Sequence, residues 1–314
     1  MMPAAASDRL RTGRVRNGKW LRLVALALIA LYAGDRYRRR HRARPSETPI
    51  VIAYGPEGAC APLVADAGTS VCPYGPATGT VGGIDYGAPF EATAGPCQLV
   101  GRLRVTSGHI AAVDPLVFLD AAFPLEPGVA PGDYPVILRL HQGDVALALL
   151  MIGQQRPVRW AQAIAVDRRA DAGGRSEAYA YGVDAGTGCY ADAATAALLR
   201  RRKQTELERR FAVLESRGMP PGDPGWNRAF EALPTGPDLL EIMGREGYGH
   251  WVNVCVDPAT GANLVAFQSG AGDGVYKVFA GTDAAGKVAA FVTDFGIIDS
   301  GSGRHPWIEG LDPR

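Results

Sequence analysis

From about residue 98 onward the chain is cut into short runs of Val, Ile, Leu and aromatic residues, each closed by turn formers. This division constrains the fold more than any other feature. Runs at 98–105, 109–113, 134–140, 145–152 and 158–165 read as strands, because β-branched and aromatic side chains suit a pleated, half-buried surface. Val136-Ile-Leu-Arg-Leu140 and Val145-Ala-Leu-Ala-Leu149 flank His141-Gln-Gly-Asp144, which predicts a hairpin. Runs at 250–256, 263–268, 275–280 and 287–298 continue the pattern, and 50–54 reads as a first strand. Forty glycines and 23 prolines supply the turns between them.

One long helix interrupts the strands. Residues 193–217 are mostly strong helix formers, Asp192 is placed to cap them, and Gly218 followed by Pro220 and Pro221 ends them. Leu198, Leu199, Leu207, Phe211 and Leu214 form the expected buried stripe, and the charged run from Arg200 to Arg210 reads as a solvated face. A shorter helix is expected over 238–246. Strand and helix do not alternate regularly. The expected class is therefore α+β, a mainly antiparallel β-sheet with one long and one short inserted helix.

Charge divides the chain. Residues 1–48 hold twelve Lys and Arg against three acids, a net +9, leaving 21 basic and 29 acidic residues in the body. An acidic body argues against a nucleic-acid partner, because a duplex-binding surface needs a basic face. Residues 49–314 are read as one α+β domain, joined to the arm by a polar, proline-bounded linker at 44–49. Within the arm, 20–34 is apolar on every helical face but short for a span, with Trp20 and Tyr32 near its ends. A signal peptide, a short membrane anchor and a basic leader compete there. Membrane contact through residues 9–44 is favoured, since Lys and Arg clusters beside an apolar segment attract anionic lipid. Membrane association, export and a cytoplasmic body all stay open.

Five cysteines, an odd number, leave at least one thiol unpaired within the chain. If the body is exported, Cys60–Cys72 is the simplest bridge; in the cytoplasm all five stay reduced. No CxxC pair and no zinc-like Cys/His spacing occurs, so no metal and no cofactor are expected.

The densest cluster of conformationally special residues is Tyr181-Gly-Val-Asp-Ala-Gly-Thr-Gly-Cys-Tyr190. Its glycines permit positive φ and close backbone approach, and it reads as a strand-to-helix turn locked by Asp184 and Asp192. No Gly-Lys-Ser/Thr follows, so it is not a P-loop. Ser269-Gly-Ala-Gly-Asp-Gly274 is a second special turn, read as a hairpin connection. Together these turns nominate a ligand-facing rim of Gly186, Thr187, Gly188, Ser269 and Gly272. Asp184 and Asp273 could converge there as ligands or as an acid/base pair. Cys189 could act as a nucleophile activated by the nearby helix N-terminus, with His109 or His250 as base.

Several blocks resemble an uncharacterised bacterial family, the domain of unknown function 4241. They are Ser107-Gly-His-Ile-Ala-Ala-Val-Asp-Pro-Leu116, Pro131-Gly-Asp-Tyr-Pro-Val136, Arg156-Pro-Val-Arg-Trp160, Tyr181 to Cys189, Ser269-Gly-Ala-Gly-Asp-Gly-Val-Tyr276 and Val292-Thr-Asp-Phe295. They keep their order over roughly residues 95–298. The resemblance implies a shared fold and carries no activity with it.

The expected function is a non-catalytic binding or interaction domain for a protein or small-molecule ligand, tethered at the membrane by the arm. The alternative is a small hydrolase using Cys189 or the Asp184/Asp273 pair.

Overall fold

A computed structural model describes residues 63, 65–76, 85–95, 97–165, 178–234, 239–245, 249–270 and 272–298. The apolar segment at 20–34 and the run at 50–54 lie outside the described residues. The chain groups into two compact units, Met1–Thr48 with Leu207–Pro234, and Pro49–Glu206 with Thr235–Arg314.

The larger unit is mainly antiparallel sheet. Its strands are β1 Ser70–Val71, β2 Cys97–Val105, β3 Ile110–Val113, β4 Leu125–Glu126, β5 Gly132–His141, β6 Asp144–Met151, β7 Arg159–Gln162 and β8 Ile164–Ala165. They continue with β9 Ala180–Val183, β10 Thr187–Asp192, β11 Trp251–Asp257, β12 Ala262–Gln268, β13 Gly274–Thr282 and β14 Val288–Asp294. One sheet runs β1-β2-β5-β6-β14-β13-β7, with β9 also on β13. A second runs β11-β12-β10-β3, and β4 pairs with β8 alone. The expected hairpin forms between β5 and β6. Its central residues Gln142 and Gly143 both have positive φ, 53° and 97°, the backbone twist that a two-residue turn between right-twisted strands requires.

β10 and β12 lie over β2, so the two sheets form a sandwich. Side-chain alternation sorts each strand between two cores. On β12, Val265 and Phe267 join Trp251 and Tyr190 in the space between the sheets. Leu264 and Ala266 face the opposite way, with Cys189, Ala191 and Val252. That outer face is covered by Ala196 and Leu199 of helix α1, Ala193–Ser216, and by Leu239 and Met243 of α3, Leu239–Arg245. On β6, Ala148 and Leu150 enter the inter-sheet core, while Leu147 and Leu149 pack with Tyr86 and Phe90 on the other face. A strand buried on both faces carries apolar residues throughout, which is why β6 shows no polar alternation.

The smaller unit is described over Leu207–Pro234. Gly218, at φ 72°, ends the helical chain, and Met219 returns its N–H to the Leu214 carbonyl. A short helix absent from the sequence expectation, α2 Trp226–Glu231, stacks Trp226 on Phe230 at 4.7 Å, and both close on Val213 and Leu214.

Two expectations about α1 are corrected. Asp192 ends β10, and its carboxylate accepts from Thr106 Oγ1 at 3.0 Å and from Ser107 N at 3.1 Å rather than from the helix. The charged run is not simply solvated. Arg202 donates to the Val256 carbonyl at 2.7 Å, Lys203 donates to that of Leu116, and Glu206 and Arg209 are buried.

The sandwich leaves no room at Gly188. A Cβ there would collide with the Tyr181 hydroxyl and press on the Phe267 ring. Gly188→Ala is expected to cost roughly 2 kcal/mol by overpacking. A lowered midpoint with unchanged slope in equilibrium urea unfolding checks this.

Candidate functional site

The two glycine-rich turns are places where the chain changes sheets. The segment after β9 carries it from the larger sheet into β10 of the four-stranded sheet, and the segment after β12 carries it back into β13. The first is therefore a strand-to-strand crossing, with the helix beginning only after β10, and the second joins two sheets instead of closing a hairpin. They meet at one end of the sandwich. Gly186 donates its N–H to Asp273 Oδ1 at 3.1 Å, and Ser269 donates its own to the Gly186 carbonyl at 3.0 Å.

Their polar groups are turned on each other. Thr187 and Ser269 are 1% and 0% exposed. Thr187 Oγ1 donates to the Ala185 carbonyl at 3.2 Å; Ser269 Oγ and Tyr276 OH both donate to the Gly272 carbonyl at 2.7 Å. Gly188 faces Tyr181 and Phe267 inside the sandwich. Asp273 is exposed and Asp184 half-buried.

The residue that organises this end is Asp114, which the sequence left unmarked inside its Val113-Asp-Pro block. Its Oδ1 accepts from Leu116 N at 2.8 Å and Val117 N at 3.0 Å, and its Oδ2 from Asp184 N at 3.0 Å and Ala185 N at 3.1 Å. The Asp-Pro pair after a strand was the available signal, since Asp in that position bonds the backbone two residues on.

The catalytic candidates do not assemble. Cys189 lies on the helix-facing side of β10 among Ala111, Val113 and Leu199. Burial pushes its thiol far above the ordinary range, and the Asp114 carboxylate adds to the rise. The nearby helix does not offset this, so the group stays a neutral thiol instead of the thiolate that attack requires. His250 sits at the crossing end, its Nδ1 2.9 Å from Gln268 Oε1. His109 lies beyond the other end of β10, where Ile110 pairs with Asp192. The length of β10, about 17 Å at the usual rise per residue, separates the two ends. Among the described residues no three His, Cys, Asp or Glu side chains group as a metal site would need. The expected Cys60–Cys72 bridge is not formed: Cys72 is a free, exposed thiol, and Cys255 is disulfide-bonded.

His109 instead borders a cavity of about 630 Å³ at the far end of β13 from Gly274. Glu126, Arg159, Gln162 and Thr282 supply its other polar groups, and Ala161, Ala163, Ile164 and Ala280 its apolar floor. The volume suits a small organic ligand. His109 Nδ1 lies 3.4 Å from the Leu125 carbonyl. Among the described residues neither the Glu126 carboxylate nor the Arg159 guanidinium makes a hydrogen bond or ion pair, with the other or elsewhere. Two opposite charges thus border one cavity with their bonding capacity unspent. No glycine or motif signal marked this site, because its walls come from four separate stretches of chain.

The family described as Protein of unknown function (DUF4241) matches residues 103–293. No curated protein and no solved structure matches the chain.

Removing an acceptor from Asp114 strands buried N–H groups. Asp114→Asn is expected to cost about 3 kcal/mol, whereas Asp273→Asn, at an exposed carboxylate with one backbone donor, costs about 1 kcal/mol or less. Paired urea unfolding curves of the two variants check the ranking.

Proposed function

The chain belongs to the DUF4241 family, and on that footing we propose that it is a non-catalytic binding domain carried on a membrane-associating N-terminal arm. The observation that carries the binding reading is the cavity beside His109, bordered by Glu126 and Arg159 with neither charge neutralised by a protein partner among the described residues. Both charged groups are exposed at the rim of the cavity, so a ligand seated on its apolar floor can reach either of them. The buried thiol of Cys189 weighs against the hydrolase alternative.

Two observations support the tether and an extracytoplasmic body. The arm joins a net charge of +9 to an apolar stretch, a combination that anionic lipid attracts. Cys255 is disulfide-bonded, and such bonds persist in oxidising compartments. Among the described residues no helix is long and apolar enough to cross a membrane, so the tether rests on residues 20–34.

Binding is tested with the full chain against a set of charged and zwitterionic small fragments. Chemical-shift changes at the His109 ring are expected, and Ala161→Trp, which fills the cavity from an exposed position, abolishes them. Unchanged His109 signals with every fragment would refute the binding reading.

The compartment is tested by fractionation with and without residues 1–48, and by alkylating denatured, unreduced protein. Full-length protein is expected to sediment with membranes and the shortened chain to be released. Three of the five thiols should label before reduction, as the free Cys72, Cys97 and Cys189 require. Labelling of all five in freshly isolated protein would return the body to a reducing compartment.

A further inference from the structure

The cavity's floor is a face of β7 and β13, and the antiparallel register orders its groups along one line. At one end Arg159 is paired with Thr282, and Gly286 lies beyond them in the turn that follows β13. In the middle Ala161 is paired with Ala280. At the other end come Ala163 and Ile164, and Glu126 is paired with Ile164 across β4 and β8. Alternate side chains on a strand share a face, which puts Arg159, Ala161 and Ala163 in one row. The row thus begins at a guanidinium and a hydroxyl, continues over methyl groups and finishes at a carboxylate. His109 borders the same cavity, and its Nδ1 faces the carbonyl of Leu125, the residue before Glu126. A carbonyl can only accept, so Nδ1 holds the hydrogen of that contact, and Nε2 of the neutral ring is left as an acceptor. The Glu126 end therefore accepts hydrogen bonds, and the Arg159 end donates them.

We propose, resting on the binding reading above, that the cavity takes a linear zwitterion: a small molecule with a carboxylate at one end, an ammonium at the other and an apolar chain between them. The carboxylate meets the Arg159 guanidinium, which can hold it through two N–H groups. The ammonium meets the Glu126 carboxylate and the acceptor nitrogen of His109. The chain lies on Ala161, Ala163 and Ala280, whose short side chains leave it room. Neither protein charge has to break a bond first, since among the described residues neither makes one. The backbone from Arg159 to Ile164 spans about 17 Å at the usual rise per residue. An arginine and a glutamate reaching in from its two ends leave a gap that a short alkyl chain fills. An α-amino acid, whose two charges flank a single carbon, can satisfy one end only. The site thus selects for the separation of the charges as well as for their sign.

The test is titration of the full chain with 6-aminohexanoate and with its isomer norleucine, followed through the His109 ring signals, with hexanoate and hexylamine as single-charge controls. The isomers share composition and net charge and differ in where the charges sit. 6-Aminohexanoate is expected to bind roughly fivefold more tightly than norleucine or either control, the effect of one further exposed ion pair. Glu126→Gln should bring it down to the level of hexanoate, and Arg159→Gln to that of hexylamine. Both positions are exposed, so the variants are expected to fold, with unchanged circular dichroism as the control. Norleucine binding as tightly as its isomer, or no loss in either variant, overturns the linear zwitterion. If 6-aminohexanoate is silent but other fragments still shift the His109 ring, only that assignment fails. If none acts, the binding reading fails with it.

Discussion

Asp114 is fully buried, and its two oxygens take four backbone N–H groups, two from the turn that follows β3 and two from the crossing between β9 and β10. Burying a carboxylate is costly unless such bonds replace its water. Once they form, they fasten segments 70 residues apart at one corner of the sandwich. The Lys203 ammonium donates to the Leu116 carbonyl within the same turn. Burial lowers its pKa, and the carboxylates of Asp120 and Asp114 oppose that shift. The second crossing is fastened in turn, through Gly186 to Asp273 and Ser269. The rest of the sandwich depends on this corner, because the chain passages between the sheets that follow β9 and β12 are both held there.

With that end closed by its own hydrogen bonds, the open groups lie at the other. β13 connects the two, running from the crossing at Gly274 to the cavity wall at Thr282. Its outer side is shared by β9 near the corner and β7 near the cavity. β9 is tied to the corner through Asp184 and Ala185, while among the described residues no strand covers the outer edge of β7. The difference between a structural end and a candidate recognition end is a difference in where main-chain and carboxylate groups find partners. At Asp114 the protein supplies them; at Glu126 and Arg159 no described residue does.

Much of the fold was legible from residue patterns. The β5–β6 hairpin follows from Gln142-Gly143 between two apolar runs, and Gly218 marks where α1 stops. The family blocks around Ser107, Tyr181 and Ser269 identified the correct relationship. The pair of crossings was also foreshadowed, since Gly and Asp at 184–188 and 269–274 do lie side by side. Their purpose was not. Thr187, Gly188 and Ser269 are interior residues, and only their neighbours Tyr181, Phe267 and Tyr276 show why. β10 was hidden because Thr187-Gly-Cys-Tyr-Ala-Asp192 has weak strand character and is held in place by strands on both sides.

The sequence by itself determined the α+β class, the turns and the separation of a basic arm from an acidic body, because periodicity, backbone conformers and net charge are properties of neighbouring residues. Tertiary structure alone decided that Cys189 is buried, that Asp114 is a clasp, and that the cavity is bordered by Glu126 and Arg159. Each of these depends on which groups meet across many residues of chain. Burial and hydrogen-bond partners, which set the chemistry of a thiol or a carboxylate, exist only after the sheets have packed.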